Sequence, residues 1–119
     1  MAARNLGNLY LLGQGVPSNY AEALKWLQFA ADHGDANAQH NIGTMYDNGR
    51  GVTQDYSQAL SWFQKAANQG NADAEKDIGI MYENGYGVAQ DTATAVEWYK
   101  KAAAQDQPYA QAALKRLGQ

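Results

Sequence analysis

A step of 36 residues runs through the whole chain and limits what it can fold into. Eleven of the twelve glycines recur at this step, and so do tyrosines and tryptophans, with no insertion between copies. Examples are Gly7, Gly43 and Gly79; Tyr10, Tyr46 and Tyr82; and Trp26, Trp62 and Trp98. A repeat of this length is typical of a solenoid, in which each unit buries its apolar face only by stacking on its neighbours.

Each unit contains the signals of two helices, which are clearest in residues 35–70. Asp35 is expected to cap a first helix, in which apolar residues are spaced three and four apart. Asp55 is expected to cap the second, with Gln58 three residues later completing a capping box, and Asp91 is the equivalent cap in the third unit. Gly49 and Gly70 follow the two helices, where a left-handed residue commonly ends them. The sequence therefore predicts a stack of helical hairpins.

These signals predict an all-α, right-handed α/α solenoid of three helix-turn-helix repeats and a C-terminal capping helix. The expected bounds are 1–34 for an N-terminally truncated first repeat, 35–70 and 71–106 for the next two, and 107–119 for the capping helix. Gly43 lies inside a helix, at a cost of about 1 kcal/mol relative to alanine. We therefore expect a neighbouring helix to approach it closely, with Tyr46 and a buried Trp62 filling the space between units.

Residues 38–70 carry a specific pattern: Ala-x-x-x-Ile-Gly-x-Met-Tyr-x-x-Gly-x-Gly-Val, then Asp-Tyr-x-x-Ala-x-x-Trp-x-x-x-Ala-Ala-x-x-Gly. It closely resembles the Sel-1-like repeat, a relative of the tetratricopeptide repeat with a longer loop between its helices. The resemblance covers essentially the whole chain and implies a bacterial scaffold that binds other proteins or peptides. Two departures, Asp106 and Lys115 in place of glycine, fit a terminal capping helix.

The composition excludes several classes of function. A net charge of −3 argues against a nucleic-acid binder, which needs a basic face. The absence of cysteine excludes disulfides, thiolate metal sites and a thiol nucleophile, and with them the cysteine-rich branch of the family. No apolar run approaches the roughly 20 residues that span a bilayer, so no membrane insertion is expected. A soluble protein of the bacterial cytoplasm, of the periplasm or secreted fits equally, because the start resembles a segment cut from a longer array.

The sequence predicts no catalytic, cofactor-binding or metal-binding residues, although one pair needs discussion. His40 and Asp47 lie two turns apart on one helix face and are compatible with an acid–base pair or part of a metal site. Exposed groove residues are the favoured interpretation. Asp47, Asn48 and Gly49 begin like a calcium loop, but the later oxygen ligands are missing.

The residues outside the apolar stripe of the first helices are the candidate binding residues, since these helices line the concave side of such solenoids. The set is Arg4, Asn8, Asn37, His40, Asn41, Thr44, Asp47, Asn48, Asp73, Lys76, Ile80, Glu83 and Asn84. Arg4, His40 and Lys76 form a basic row, and Asp47 and Glu83 form an acidic row. The related tetratricopeptide proteins hold a peptide carboxylate with such basic and asparagine side chains, whereas Asp73 and Asp77 would repel it. A solvated face of mixed charge is the alternative.

We therefore expect a non-enzymatic protein–protein interaction scaffold that binds a peptide or protein in the concave groove. An immunity or inhibitor protein that occludes a bacterial effector, and a structural spacer of a longer array, are the alternatives. Near the N-terminus, Leu11 and Leu12 stand where the second repeat has Asp47 and Asn48. The apolar patch that they predict favours a weak homodimer through the uncapped N-terminal helix.

Overall fold

The computed structural model describes residues 20–119, which form six helices and no strand. The helices are α1 (Tyr20–Asp32), α2 (Ala36–Asn48), α3 (Tyr56–Ala67), α4 (Ala72–Asn84), α5 (Thr92–Ala103) and α6 (Pro108–Arg116). Each packs chiefly against the next helix along the chain, as in a helical solenoid. The predicted all-α solenoid is confirmed, while its right-handed sense stays a prediction. Within these residues no helix combines the length and apolarity needed to cross a membrane.

The turns between repeats are held by residues that hydrogen-bond both to the preceding helix and to the following one. The backbone N–H of Asp35 donates to the carbonyl of Ala30 in α1 at 3.1 Å, while its carboxylate accepts the N–H of Ala38 in α2 at 3.0 Å. Asn71 and Gln107 make the same two bonds at the starts of α4 and α6. One residue therefore ends one helix and begins the next, and the same pair of hydrogen bonds recurs at all three of these turns.

Asp55 and Asp91 cap the second helices as the sequence predicts. The Asp55 carboxylate accepts the N–H of Gln58 at 3.1 Å. Its backbone N–H, however, donates to the carbonyl of Tyr46 at 2.9 Å and is not the partner that a reciprocal capping box with Gln58 needs. The loop between the two helices of a repeat is thus tied back to the first helix rather than to the second.

Small and aromatic residues interlock at the centre of each hairpin. The ring of Phe63 in α3 lies over Gly43 in α2, where an added Cβ would come within 2.6 Å of two ring carbons. Tyr99 lies over Gly79 in the same way, at 2.7 Å. Leu27, Phe63 and Tyr99 follow the 36-residue step and are all at most 1% exposed. Close helix approach at Gly43 is therefore confirmed, and its cause is a buried aromatic ring.

The structure corrects the expectation that Tyr46 and Trp62 supply the bulk of the core. Both are only half-buried, because the position that points to the hairpin centre is the next one, Phe63. Trp62 does pack between repeats, against the apolar cluster that contains Leu27. The ammonium group of Lys65 lies 4.2 Å from the centre of its ring. The lysine lies over the face of the indole, which gives a partly buried aromatic ring a favourable cation–π contact.

The C-terminal helix α6 covers the last apolar cluster. Ala110 and Ala113 are buried against Tyr99 and its neighbours. Asp106, which replaces a glycine of the repeat pattern, keeps the left-handed backbone of that glycine with a φ of 64°. Lys115 occupies the column of Gly43 and is exposed. The role of α6 as a terminal cap stays a prediction.

Candidate partner-binding groove

The predicted groove residues that the structure describes lie on α2 and α4. They are Asn37, His40, Asn41, Thr44, Asp47 and Asn48 on α2, and Asp73, Lys76, Ile80, Glu83 and Asn84 on α4. Arg4 and Asn8 lie outside the described residues, and so do Leu11 and Leu12, on which the predicted self-association rests. The first helices thus bring the central part of the predicted groove together.

Asp77 connects the two first helices and was not recognised as a partner from the sequence. Its carboxylate lies 2.6 Å from His40 Nε2 in α2 and 2.9 Å from the ammonium group of Lys76. All three side chains are about one-fifth exposed, at 18%, 22% and 18% for His40, Lys76 and Asp77. The histidine partner considered from the sequence, Asp47, is therefore not the one that His40 contacts. His40 and Lys76, the two members of the basic row that the structure describes, are thus both engaged by the Asp77 carboxylate.

Asp47 lies beside this cluster in an environment that disfavours its charge. Burial and the nearby negative charge of Asp77 raise the pKa of the Asp47 carboxyl above its ordinary value, and Lys76 opposes them only in part. None of the ion pairs among residues 20–119 includes Asp47. Its backbone carbonyl accepts the side-chain amide of Gln54 at 2.8 Å, which fixes the end of α2. The result is a half-buried carboxylate that lacks a charge partner of its own.

Glu83, one repeat further on, has the opposite surroundings. Two nitrogens of Arg116 lie 2.8 Å and 2.9 Å from its two carboxylate oxygens, and the Tyr99 hydroxyl donates to it at 2.7 Å. The Arg116 hydrogen bond is the main reason why the pKa of Glu83 is lowered. Burial, together with the hydrogen bond to Glu83, raises the pKa of the Tyr99 hydroxyl far above its ordinary value. In the acidic row, the charge of Glu83 is therefore balanced by Arg116, whereas Asp47 has no such ion pair within the described residues.

Other groove residues make contacts within the chain. The amide of Asn71 donates to the Asn37 side chain at 3.0 Å, and Gln107 donates to Asp73 in the equivalent place at 3.2 Å. The Thr44 hydroxyl donates to a carbonyl of its own helix at 3.2 Å. Asn37 and Asp73 thus link consecutive repeats. Further along, Asn48 and Asn84 are exposed at the ends of α2 and α4.

The groove is an open surface rather than a cavity. No enclosed pocket is present in the part of the chain that the structure describes. Within the same residues, no three histidine or acidic side chains are grouped to hold a metal ion. Any ligand of this face would therefore lie along the first helices.

The Sel1 repeat profile matches residues 1–35, 36–71 and 72–107. The chain belongs to the Sel1 repeat family. Sel1 repeats are in general non-enzymatic scaffolds for protein–protein interaction. A search among curated proteins returns no significant match.

Solved structures agree with this assignment. A Sel1 repeat protein from Oxalobacter formigenes is 43% identical, with a TM-score of 0.86 and coverage of 97% of this chain and 86% of that protein. A protective antigen of uropathogenic Escherichia coli strains, which displays an SLR fold, is 41% identical with a TM-score of 0.88 over 92% of this chain. This chain spans only 23% of the length of that antigen. Cysteine rich protein B of Helicobacter pylori shares the fold at 23% identity, with a TM-score of 0.80 and coverage of 95% and 87%.

Proposed function

We propose that this Sel1 repeat chain binds a peptide or an extended segment of a protein along the face formed by α2 and α4. In this proposal the units that present the two helices are residues 35–70 and 71–106. The observation that carries the proposal is the polar line across both helices, in which His40, Asp47, Lys76 and Asp77 are half-buried. Partial exclusion of water strengthens the electrostatic interactions that such groups form with a bound partner. The exposed amides of Asn48 and Asn84 extend the line at one end.

Two pairs of substitutions separate groove binding from other modes of binding. Asn48→Arg with Asn84→Arg places two long cations on the exposed ends of α2 and α4. Ser61→Arg with Gln64→Arg adds the same charge to exposed positions of α3 and serves as the control. All four sites are exposed, so neither pair should alter folding much.

The experiment is selection of peptides from a displayed library on the immobilised parent chain, followed by titration of the selected peptides. We expect the groove pair to weaken binding and the α3 pair to leave it near the parent value. Equal affinity for the groove pair and the parent would contradict the proposal. Selective loss in the α3 pair would move the binding site to the second helices, and failure to select any peptide would favour a structural spacer.

A further inference from the structure

Asp47 and Glu83 occupy equivalent places in consecutive repeats. They are one 36-residue step apart, and each lies in the last turn of its helix. The side-chain amides of Gln54 and Gln90 donate to their backbone carbonyls, in both cases at 2.8 Å. The two side chains therefore leave the backbone in the same setting, although that of Asp47 is one methylene shorter than that of Glu83, and their neighbouring side chains differ as well.

Two of the columns that differ decide whether the carboxylate has a cation and a hydroxyl donor of its own. Glu83 receives the guanidinium of Arg116 and the hydroxyl of Tyr99. One step earlier, the same columns contain Ile80 and Phe63, which provide neither a cation nor a hydroxyl donor. Glu83 thus has an arginine from within the chain, whereas Asp47, at the equivalent position, has none among the residues that the structure describes.

The charges around Asp47 favour an incoming cation. Asp77 adds a second negative charge, and Lys76 is already engaged with Asp77 at 2.9 Å. The raised pKa of Asp47 has burial and Asp77 as its main causes, so an ionised Asp47 lowers the stability of the folded chain at neutral pH. A cation from outside would offset this cost by its attraction to the ionised carboxylate.

We propose that Asp47 binds an arginine side chain of the partner, in the way that Glu83 binds Arg116. The proposal rests on the proposed groove function and specifies the chemistry of the partner. The planar guanidinium matches a carboxylate with two parallel hydrogen bonds, as the contacts of Arg116 with both oxygens of Glu83 illustrate. Ile80 stands in the column of Arg116, so the chain itself supplies no arginine at this place and no charge on residue 80 that would compete with one from the partner.

The test uses the isolated amino-acid probe N-acetyl-arginine amide, followed by NMR on the isotope-labelled full chain. We expect amide and carboxylate shifts centred on Asp47 and a lower apparent pKa for its carboxyl as the probe is added. N-acetyl-citrulline amide, which is similar in shape but uncharged, should give no such shifts. Asp47→Asn should lose the site, with an affinity about tenfold or more weaker, as expected for a charge-assisted hydrogen bond.

Arg116→Gln provides a gain-of-function variant. Removal of Arg116 leaves Glu83 and the Tyr99 hydroxyl without their internal cation, so the probe should gain a second site at Glu83. Equal probe binding by Asp47→Asn and the parent would overturn the assignment, and so would the absence of shifts at Asp47. Equal binding of N-acetyl-lysine amide would overturn the preference for guanidinium. If the probe fails in these ways while Asn48→Arg with Asn84→Arg still weakens binding of the selected peptides, only the arginine site at Asp47 is refuted and the groove proposal stands.

Discussion

Replacement of Gly43 by alanine should destabilise the chain, although alanine is the better helix former. An added Cβ would lie 2.6 Å from two ring carbons of Phe63 and 3.2 Å from the carbonyl oxygen of Ala59. Ordinary contacts between carbon atoms are about 3.5–4.0 Å long, so the ring must move by about 1 Å. Phe63 is 1% exposed and belongs to an apolar cluster with Ile78 and Met81, so a shift of the ring has to displace buried neighbours.

Two opposing terms set the magnitude. Alanine gains about 1 kcal/mol over glycine inside a helix. Overpacking of a well-filled core costs about 1–3 kcal/mol, and the upper end applies here because a buried ring and a backbone carbonyl both obstruct the new methyl group. We therefore expect the free energy of unfolding to fall by about 1–2 kcal/mol in Gly43→Ala.

Urea unfolding followed by circular dichroism measures this change. The matched background is Phe63→Leu, because Leu27 fills the equivalent column of the preceding repeat. With the ring removed, the Gly43→Ala substitution should be neutral or stabilising. A Gly43→Ala chain that is more stable than the parent would refute the argument that the glycine is required by the Phe63 ring.

Three further predictions concern charge, the tryptophan and the N-terminal end. At pH 7 Asp47→Asn should raise the melting temperature, because the pKa of Asp47 is raised above 3.8, and the gain should fade as the pH falls through that pKa. Glu83→Gln should lower the melting temperature at pH 7, because the pKa of Glu83 is held below 4.5, and this loss should likewise disappear in acid. A change of melting temperature in the same direction in both variants would contradict the opposite electrostatic settings of Asp47 and Glu83. Trp62→Ala should cost less than the about 3–5 kcal/mol of a fully buried aromatic residue, and a loss in that range on urea unfolding would mean that the indole is buried. Light scattering over a concentration series should detect weak self-association that Leu11→Asp with Leu12→Asn abolishes, whereas a monomeric parent would exclude it.

Local features of the fold were predictable from the sequence. The caps Asp35, Asp55 and Asp91 were assigned correctly because each is decided by a side chain and a backbone group three residues apart. The 36-residue step also predicted the spacing of the described helices, which begin at Tyr20, Tyr56 and Thr92 and at Ala36, Ala72 and Pro108.

Features that depend on helix rotation and on the offset between repeats were not predictable. Trp62 and Phe63 are adjacent and both apolar, and only the rotation of α3 decides that Phe63 is the buried one. The pairing of His40 with Asp77 joins residues 37 positions apart on different helices, so the spacing of His40 and Asp47 along one helix was the misleading signal. Arg116 lies in the column of Ile80, but its contact with Glu83 depends on the position of α6, which the spacing of residues alone does not give.

The binding face is tested most directly by the amide signals of the labelled chain in complex with a peptide selected on it. The chemical shifts that change on binding, and the amides that become protected from hydrogen exchange, should map to α2 and α4, with Asp47 and Lys76 among the residues affected. Changes confined to α3 and α5, with the signals of α2 and α4 unaltered at saturation, would contradict the groove as the site where this Sel1 repeat protein binds its partner.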